Sequence, residues 1–372
     1  IIHLPSAQPV VYCGYAVGAG TRDEELGREE GMAHFCEHIT FKGTERRSSM
    51  QILGHLESVG GDLNAFTNKE ETVYHAAVLK ENIDRAVDLL TDIVFHSTYP
   101  QAEIDKEVEV IVDEIESYND SPAELVYDLF ENAVFGGHPL GHNILGTAEK
   151  LRRYTTADAL RFTRRYYRPE NSVFFAYGDV DFQKLVRLLE RANAADAAAE
   201  SVAAVSLPPQ QSAISDNSCC GGGKDTAAAL LPPYAAQPIE HHMDTHLAHV
   251  MLGTRAYDVH DERRIALYLL NNILGGPGMT ARLNVSLRER NALVYTVESM
   301  AQSYSDTGLW AVYFGCDPKN VKRCLRLIRR ELDKVMQRPL SDAQLRAAKR
   351  QIRGQIGIAC DSRESFALDF AK

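Results

Sequence analysis

The order of predicted strands and helices occurs twice along the chain, and this repeat limits the possible folds more than any other feature. An alternating strand pattern over 72–79 leads into a helical pattern over 81–90, and residues 309–315 and 319–328 repeat that order. The residues that match between the two helical patterns, all at one offset and without gaps, are Asn82 and Asn320, Arg85 and Arg323, and Leu89 and Leu327. We therefore predict an internal duplication, with two domains built on one plan.

A stretch of different composition separates the two parts. Residues 193–238 are rich in Ala, Ser, Pro and Gly and show almost no periodic apolar pattern, which is typical of a linker. We predict a first domain over 1–192, a linker over 193–238 and a homologous domain over 239–372. Because strands and helices occur in both parts, the predicted fold class is α+β, and each domain is expected to be a sheet covered by helices.

Composition and charge exclude several classes of function. The formal net charge is −11, which argues against a dedicated nucleic-acid-binding protein because such proteins neutralise phosphates with basic residues. No apolar run approaches the roughly 20 residues that a membrane-spanning helix needs, so we expect no membrane partner. The 7 cysteines are odd in number and irregularly spaced, which fits neither a disulfide framework nor a thiolate zinc site. We expect a cytoplasmic protein, with the periplasm or an organelle matrix as alternatives.

The sharpest chemical motif is His34-Phe35-Cys36-Glu37-His38, which lies on a predicted helix. Positions i and i+4 share a helix face, so both imidazoles can bind one ion, and Glu37 lies on the same side. Two imidazoles and a carboxylate suit Zn²⁺ and leave a position for water, whose proton Glu37 could accept. This order of residues is the inverzincin signature. The same residues could also be solvated side chains of an amphipathic helix, so a third ligand has to decide.

An acidic helix predicted over 103–116 supplies candidates for the third ligand. Glu107 and Glu114 are two helical turns apart and therefore share one face. The alternative is that this helix is a charged, solvent-exposed surface. Spacing alone does not choose among its carboxylates.

The metal motif, followed by a distant Glu, resembles the pitrilysin and insulysin superfamily of zinc peptidases, which also contains mitochondrial processing peptidase. The chain is most similar to its short, single-site bacterial members. The resemblance implies one Zn²⁺ per chain bound by His34, His38 and Glu114, with Glu37 as the general base and Glu107 supporting the site from behind the ligands. It also implies that each domain is a mixed, mainly antiparallel sheet covered by helices, as in one half of a processing-peptidase clamshell.

Other segments extend the resemblance over nearly the whole chain. Residues 61–67 and 70–72 are similar to the family's edge strand and its approach. An exposed edge can pair main chain to main chain with an extended peptide, so the resemblance implies that Asn64, Ala65 and Phe66 bind substrate. The alternative for Asn64 is an ordinary Asn in a turn before a strand.

The second half carries Gly-Gly-Pro-Gly at 275–278 and resembles the family's signature over 287–295. In the family an Arg and a Tyr of this segment reach the zinc site from the partner half and hold the substrate carbonyl, and Arg288 and Tyr295 have that spacing. A guanidinium and a phenol are good donors to the oxyanion that forms there. Family members usually carry Arg-Gly where this chain has Asn and Ala at 291–292, a departure that concerns turn geometry more than chemistry.

These observations predict a zinc metalloendopeptidase or oligopeptidase that hydrolyses short or unfolded peptides in a closable chamber. The helix predicted over 261–274 takes the place of the metal helix but has no ligands, so only the first half should hydrolyse. The resemblance implies a homodimer, or a heterodimer with a related subunit, and family members continue beyond residue 372, so we expect an incomplete second domain. One alternative is a catalytically silent scaffold or partner subunit of a processing-peptidase-like heterodimer. Another is a regulatory metal-binding protein without hydrolysis.

Overall fold

A computed structural model describes residues 1–204 and 238–371, and within it two compact units are distinguished. The first unit consists of the described parts of Ile1–Ile111, Ile144–Leu230 and Arg363–Lys372. The second consists of the described parts of Val112–Asn143 and Leu231–Ser362. Among the described residues, no helix combines the length and the apolar character that crossing a membrane requires.

The first unit contains a five-stranded sheet in the order β1-β5-β2-β4-β3. Its strands are β1 (Ile2–Pro5), β2 (Val10–Val17), β3 (Asp62–Thr67), β4 (Thr72–Leu79) and β5 (Ser172–Gly178). Strand β1 runs parallel to β5, and all other neighbours are antiparallel. Strand β3 therefore lies at an edge of the sheet, with β4 as its neighbour.

Helices accompany this sheet, and several of them pack directly against its strands. They are α1 (Met32–Thr40), α2 (Ser49–Glu57), α3 (Ile83–Phe95), α4 (Gln101–Asn119), α6 (Ala148–Leu151), α7 (Thr156–Tyr166), α8 (Phe182–Ala204) and α12 (Arg363–Ala371). In α3, for example, Ile83, Val87, Leu90 and Val94 follow the helical period and are all buried. Helix α4 continues without a break past Ile111, where the division between the units falls.

The second unit repeats the plan with a three-stranded antiparallel sheet in the order β6-β8-β7. Its elements are α5 (Pro122–Val134), β6 (Ala248–Ala256), α9 (Arg263–Gly275), a short π-helix (Asn284–Glu289), β7 (Val294–Ser303), β8 (Gly308–Cys316), α10 (Val321–Gln337) and α11 (Asp342–Ala359). The succession β8-α10 corresponds to β4-α3 of the first unit. Two mixed or antiparallel sheets with helices confirm the predicted α+β class.

The units divide the chain differently from the predicted domains over 1–192 and 239–372. Residues 112–143 cluster with the second unit and the described end of the chain, from 363 onward, with the first. Local patterns identify helices, but they do not say against which sheet a helix packs. The predicted linker over 193–238 begins as helix, because α8 continues through the alanine-rich residues to Ala204 and Ala is the best helix former. Its remaining residues up to 237 lie outside the described part of the chain.

Candidate active site

Helix α1, which carries the His-x-x-Glu-His motif, is fixed at its start by a buried carboxylate. Glu24 accepts hydrogen bonds from the backbone N–H groups of Gly31, at 2.9 Å, and Ala33, at 2.8 Å. Gly31 has φ +85°, and a Cβ there would lie 2.8 Å from Gly146, so only glycine fits. A carboxylate at this end of a helix binds its unpaired N–H groups and favours its dipole.

The structure brings together the three predicted zinc ligands. One potential ligand atom from each of His34, His38 and Glu114 lies within 4.8 Å of the other two. The two imidazole rings, one helical turn apart on α1, have centroids separated by 4.6 Å. His34 is buried, His38 is half-buried and Glu114 is exposed, so the group opens toward solvent on one side. Two imidazoles and one carboxylate form a donor set that suits Zn²⁺ and leaves a coordination position for water.

Glu107 lies beside the three predicted ligands and contacts one of them, His38. Its Oε1 is 3.1 Å from Nδ1 of His38, and its Oε2 is 2.6 Å from Nζ of Lys42. Burial raises the pKa of Glu107, but the hydrogen bonds from His38 and Lys42 outweigh this effect and hold that pKa below its usual value. An ionised Glu107 favours the tautomer of His38 with the proton on Nδ1, which leaves Nε2 for a metal. The role that the resemblance implies for Glu107, support of the site from behind the ligands, stays a prediction.

Glu37 is held by the edge strand. Thr67, the last residue of β3, is buried and donates from Oγ1 to Oε2 of Glu37 at 2.7 Å. Thr67 was not among the residues that the sequence motifs indicated. The available signal was the alternation of the strand, which places Thr67 on the same face as Ala65 and on the opposite face from Asn64 and Phe66.

The three predicted substrate-binding residues lie side by side in the middle of β3. Asn64 is inside the strand, opposite His75 of β4, so the alternative position in a preceding turn is wrong. Asn64 is exposed, whereas Ala65 and Phe66 are half-buried. The far side of β3 has no neighbouring strand within the described sheet, which leaves a main-chain edge available for pairing.

Arg288 and Tyr295 line one pocket of the second unit, with a volume of about 380 Å³. Arg288 belongs to the π-helix and is half-exposed. Tyr295 lies in a bulge of β7, where Val294 pairs with Cys316 and Thr296 pairs with Gly315, the preceding residue of β8. The bulge places Tyr295 and Thr296 outward together, and Tyr295 is 85% exposed.

The turn between the π-helix and β7 uses Ala292 in a left-handed conformation, with φ +48°. Its backbone N–H donates to the carbonyl of Arg288 at 2.8 Å, and that of Leu293 donates to the carbonyl of Leu287 at 3.0 Å. The family that the chain resembles usually has glycine at this position. The left-handed conformation explains this preference, since glycine adopts it without steric cost.

Family models match both parts of the chain. Residues 2–148 match the model described as insulinase, peptidase family M16, and residues 153–352 match the model described as peptidase M16 inactive domain. A protein from Streptomyces coelicolor named "uncharacterized zinc protease" is 36% identical over 94% of this chain and 72% of its own length. A Bacillus subtilis protein named as a zinc protease is 31% identical over 95% of this chain and 80% of its own length.

Solved structures share the fold at lower identity. A protease from Helicobacter pylori aligns with a TM-score of 0.82 and 22% identity, covering 99% of this chain and 85% of its own. A peptidase M16 inactive domain from Pseudomonas fluorescens aligns with a TM-score of 0.77 and 19% identity, covering 95% of this chain and 80% of its own.

Proposed function

The chain belongs to the M16 (insulinase) family of peptidases, and on this premise we propose that it is a zinc-dependent peptidase that hydrolyses short or unfolded peptides. One Zn²⁺ per chain would be held by His34, His38 and Glu114. The observation that carries the proposal is the approach of these three side chains to within 4.8 Å of one another, with Glu37 on the same helix.

Each protein group has a definite task in this proposal. When bound, zinc supplies Lewis acidity and lowers the pKa of its water toward neutrality. Glu37 takes a proton from the attacking water and delivers it to the leaving amine, and Thr67 holds the carboxylate in place at 2.7 Å. Glu107 keeps His38 oriented through its 3.1 Å contact with Nδ1.

Substrate would bind as an added strand along β3, at Asn64, Ala65 and Phe66, through main-chain hydrogen bonds that tolerate different side chains. Arg288 and Tyr295 would donate to the oxyanion of the attacked carbonyl. In the proposed dimer, a second copy or a related subunit supplies this pair and closes the chamber. The second half acts only in binding, because α9 carries no His, Cys, Asp or Glu that could hold a metal.

Two substitutions test the two proposed roles separately: E37Q tests the role of Glu37 as the base, and E114Q tests the role of Glu114 as a zinc ligand. E37Q should lower kcat on a quenched-fluorescence peptide by roughly 10²–10⁴-fold while zinc stays near one per chain. E114Q should lose zinc, whereas the control E116Q, at an exposed position of the same helix, should change neither property. Removal of zinc from the wild type with a chelator should abolish turnover, and added zinc should restore it.

Three results would contradict the proposal. Full turnover by E37Q would remove Glu37 from the base role. Full zinc content in E114Q would remove Glu114 from the ligand set. A wild-type protein that binds zinc but has no chelator-sensitive turnover would instead favour the silent subunit or the regulatory metal-binding protein.

A further inference from the structure

A second polar pocket lies in the first unit, beside the start of α2 and one face of α3. It is open and has a volume of about 500 Å³. The side chains that line it with charge or hydrogen-bonding capacity are Arg46, Arg47, Gln51, His55 and Arg85. None of them belongs to the metal group or to β3.

The pocket carries a positive excess in a chain whose net charge is −11. Arg47 is bound by the carboxylates of Asp88 and Asp92. Arg46 contacts the same Asp88, with Nη2 3.0 Å from Oδ1. Three guanidinium groups therefore line the pocket, and the carboxylates of Asp88 and Asp92 pair with only two of them, Arg46 and Arg47.

Arg85 and His55 each have a nitrogen atom that the described residues leave without a partner. Nη2 of Arg85 donates to the carbonyl of His55 at 2.6 Å and lies 3.3 Å from Oγ of Ser58. Nε of Arg85 and Nε2 of His55, however, have no hydrogen-bond partner among the residues that the structure describes. Polar groups in such positions are normally satisfied, and a small movement of these side chains toward a ligand or an ordered solvent molecule would satisfy them.

We propose that this pocket binds a small phosphate-bearing anion, with Arg46 and Arg85 as its principal contacts and His55 as a third donor. The planar guanidinium fork matches two phosphate oxygens at once, and an arginine pair with an imidazole supplies the several donors that such an anion needs. Arg47 also lines the pocket, but Asp88 and Asp92 already pair with its guanidinium, so we do not count it among the principal contacts.

The imidazole of His55 offers a direct readout of occupancy. Burial lowers its pKa, Arg47 and Arg85 lower it further, and Asp88 and Asp92 oppose this effect. A bound anion adds a negative charge beside the ring and should raise the pKa of His55. Binding should therefore be tighter below this pKa, where the ring is protonated, and weaker above it.

The test is a titration of the purified full chain with inorganic phosphate and with pyrophosphate at constant ionic strength. Calorimetry gives the affinity, and the His55 ring signal in NMR spectra gives the site. We expect saturable binding with a rise in the pKa of His55. Sulfate, which does not titrate in this range, separates the protonation of His55 from that of the ligand.

Variants show whether the pocket is responsible. R46Q, at an exposed side chain, and R85Q should each weaken binding at least tenfold, whereas the control R350Q, on the exposed surface of α11, should not. If R85Q does not fold, the affinity of R46Q alone still tests whether the pocket binds the anion. No saturable shift of His55, or an equal loss of affinity in R350Q, would overturn the proposal. The readout is binding alone, so it does not depend on peptide hydrolysis.

Discussion

Replacement of Thr67 by Val tests whether the edge strand positions Glu37, the proposed catalytic base. Val keeps the β-branched shape at this buried strand position and replaces the hydroxyl that donates to Glu37 at 2.7 Å with a methyl group, which cannot donate. A hydrogen bond to a charged group contributes roughly 1.5–3 kcal/mol. Since about 1.4 kcal/mol corresponds to a factor of ten in rate, we expect kcat to fall by roughly 10-fold to 100-fold.

The assay is steady-state hydrolysis of a quenched peptide, with zinc content measured on the same samples. T67V should lower kcat and leave both KM and bound zinc close to the wild-type values, because the hydroxyl contacts the base and not the ligands. T67S retains the hydroxyl and should recover most of the rate. The reasoning fails if T67V keeps the wild-type kcat, or if T67S loses as much activity as T67V.

Two further substitutions probe the second unit. A292G should raise the free energy of unfolding by about 0.5–1 kcal/mol, because the left-handed conformation costs a non-glycine residue roughly 1–2 kcal/mol and the entropy of glycine offsets part of this gain. Urea unfolding measures this change. The control A347G, at an exposed position in the middle of α11, should instead lower the free energy of unfolding by about 1 kcal/mol. Y295F should lower kcat by roughly 10²–10³-fold without changing the melting temperature, because the ring is 85% exposed; an unchanged kcat would exclude the phenol as a donor.

Local patterns predicted the helix that carries the metal motif and the strands around it. The helical period placed His34 and His38 on one face of α1, and the structure has this arrangement. The choice of Glu114 among the acidic residues of α4 came from the resemblance. Spacing could not have made it, because Glu107 lies on the same face, and only the tertiary contacts distinguish the carboxylate near both imidazoles from the one that contacts Nδ1 of His38.

Contacts between distant segments leave no local pattern in the sequence and therefore could not be predicted from it. Thr67 and Glu37 meet because β3 ends beside α1, and the order of strands in the sheet determines this meeting. The pocket around Arg46 and Arg85 is likewise formed by two segments that are separate in the chain. The assignment of residues 112–143 to the second unit has the same origin.

The bulge in β7 makes the chemistry of one pocket depend on chain length rather than on residue type. In a regular strand, neighbours alternate between the two faces, so Tyr295 and Thr296 could never share a side. Here one additional residue in the strand places the phenol of Tyr295 and the hydroxyl of Thr296 on the same side, where both line the pocket. An insertion or deletion of a single codon in β7 would thus alter what the pocket presents, although every surviving side chain kept its identity.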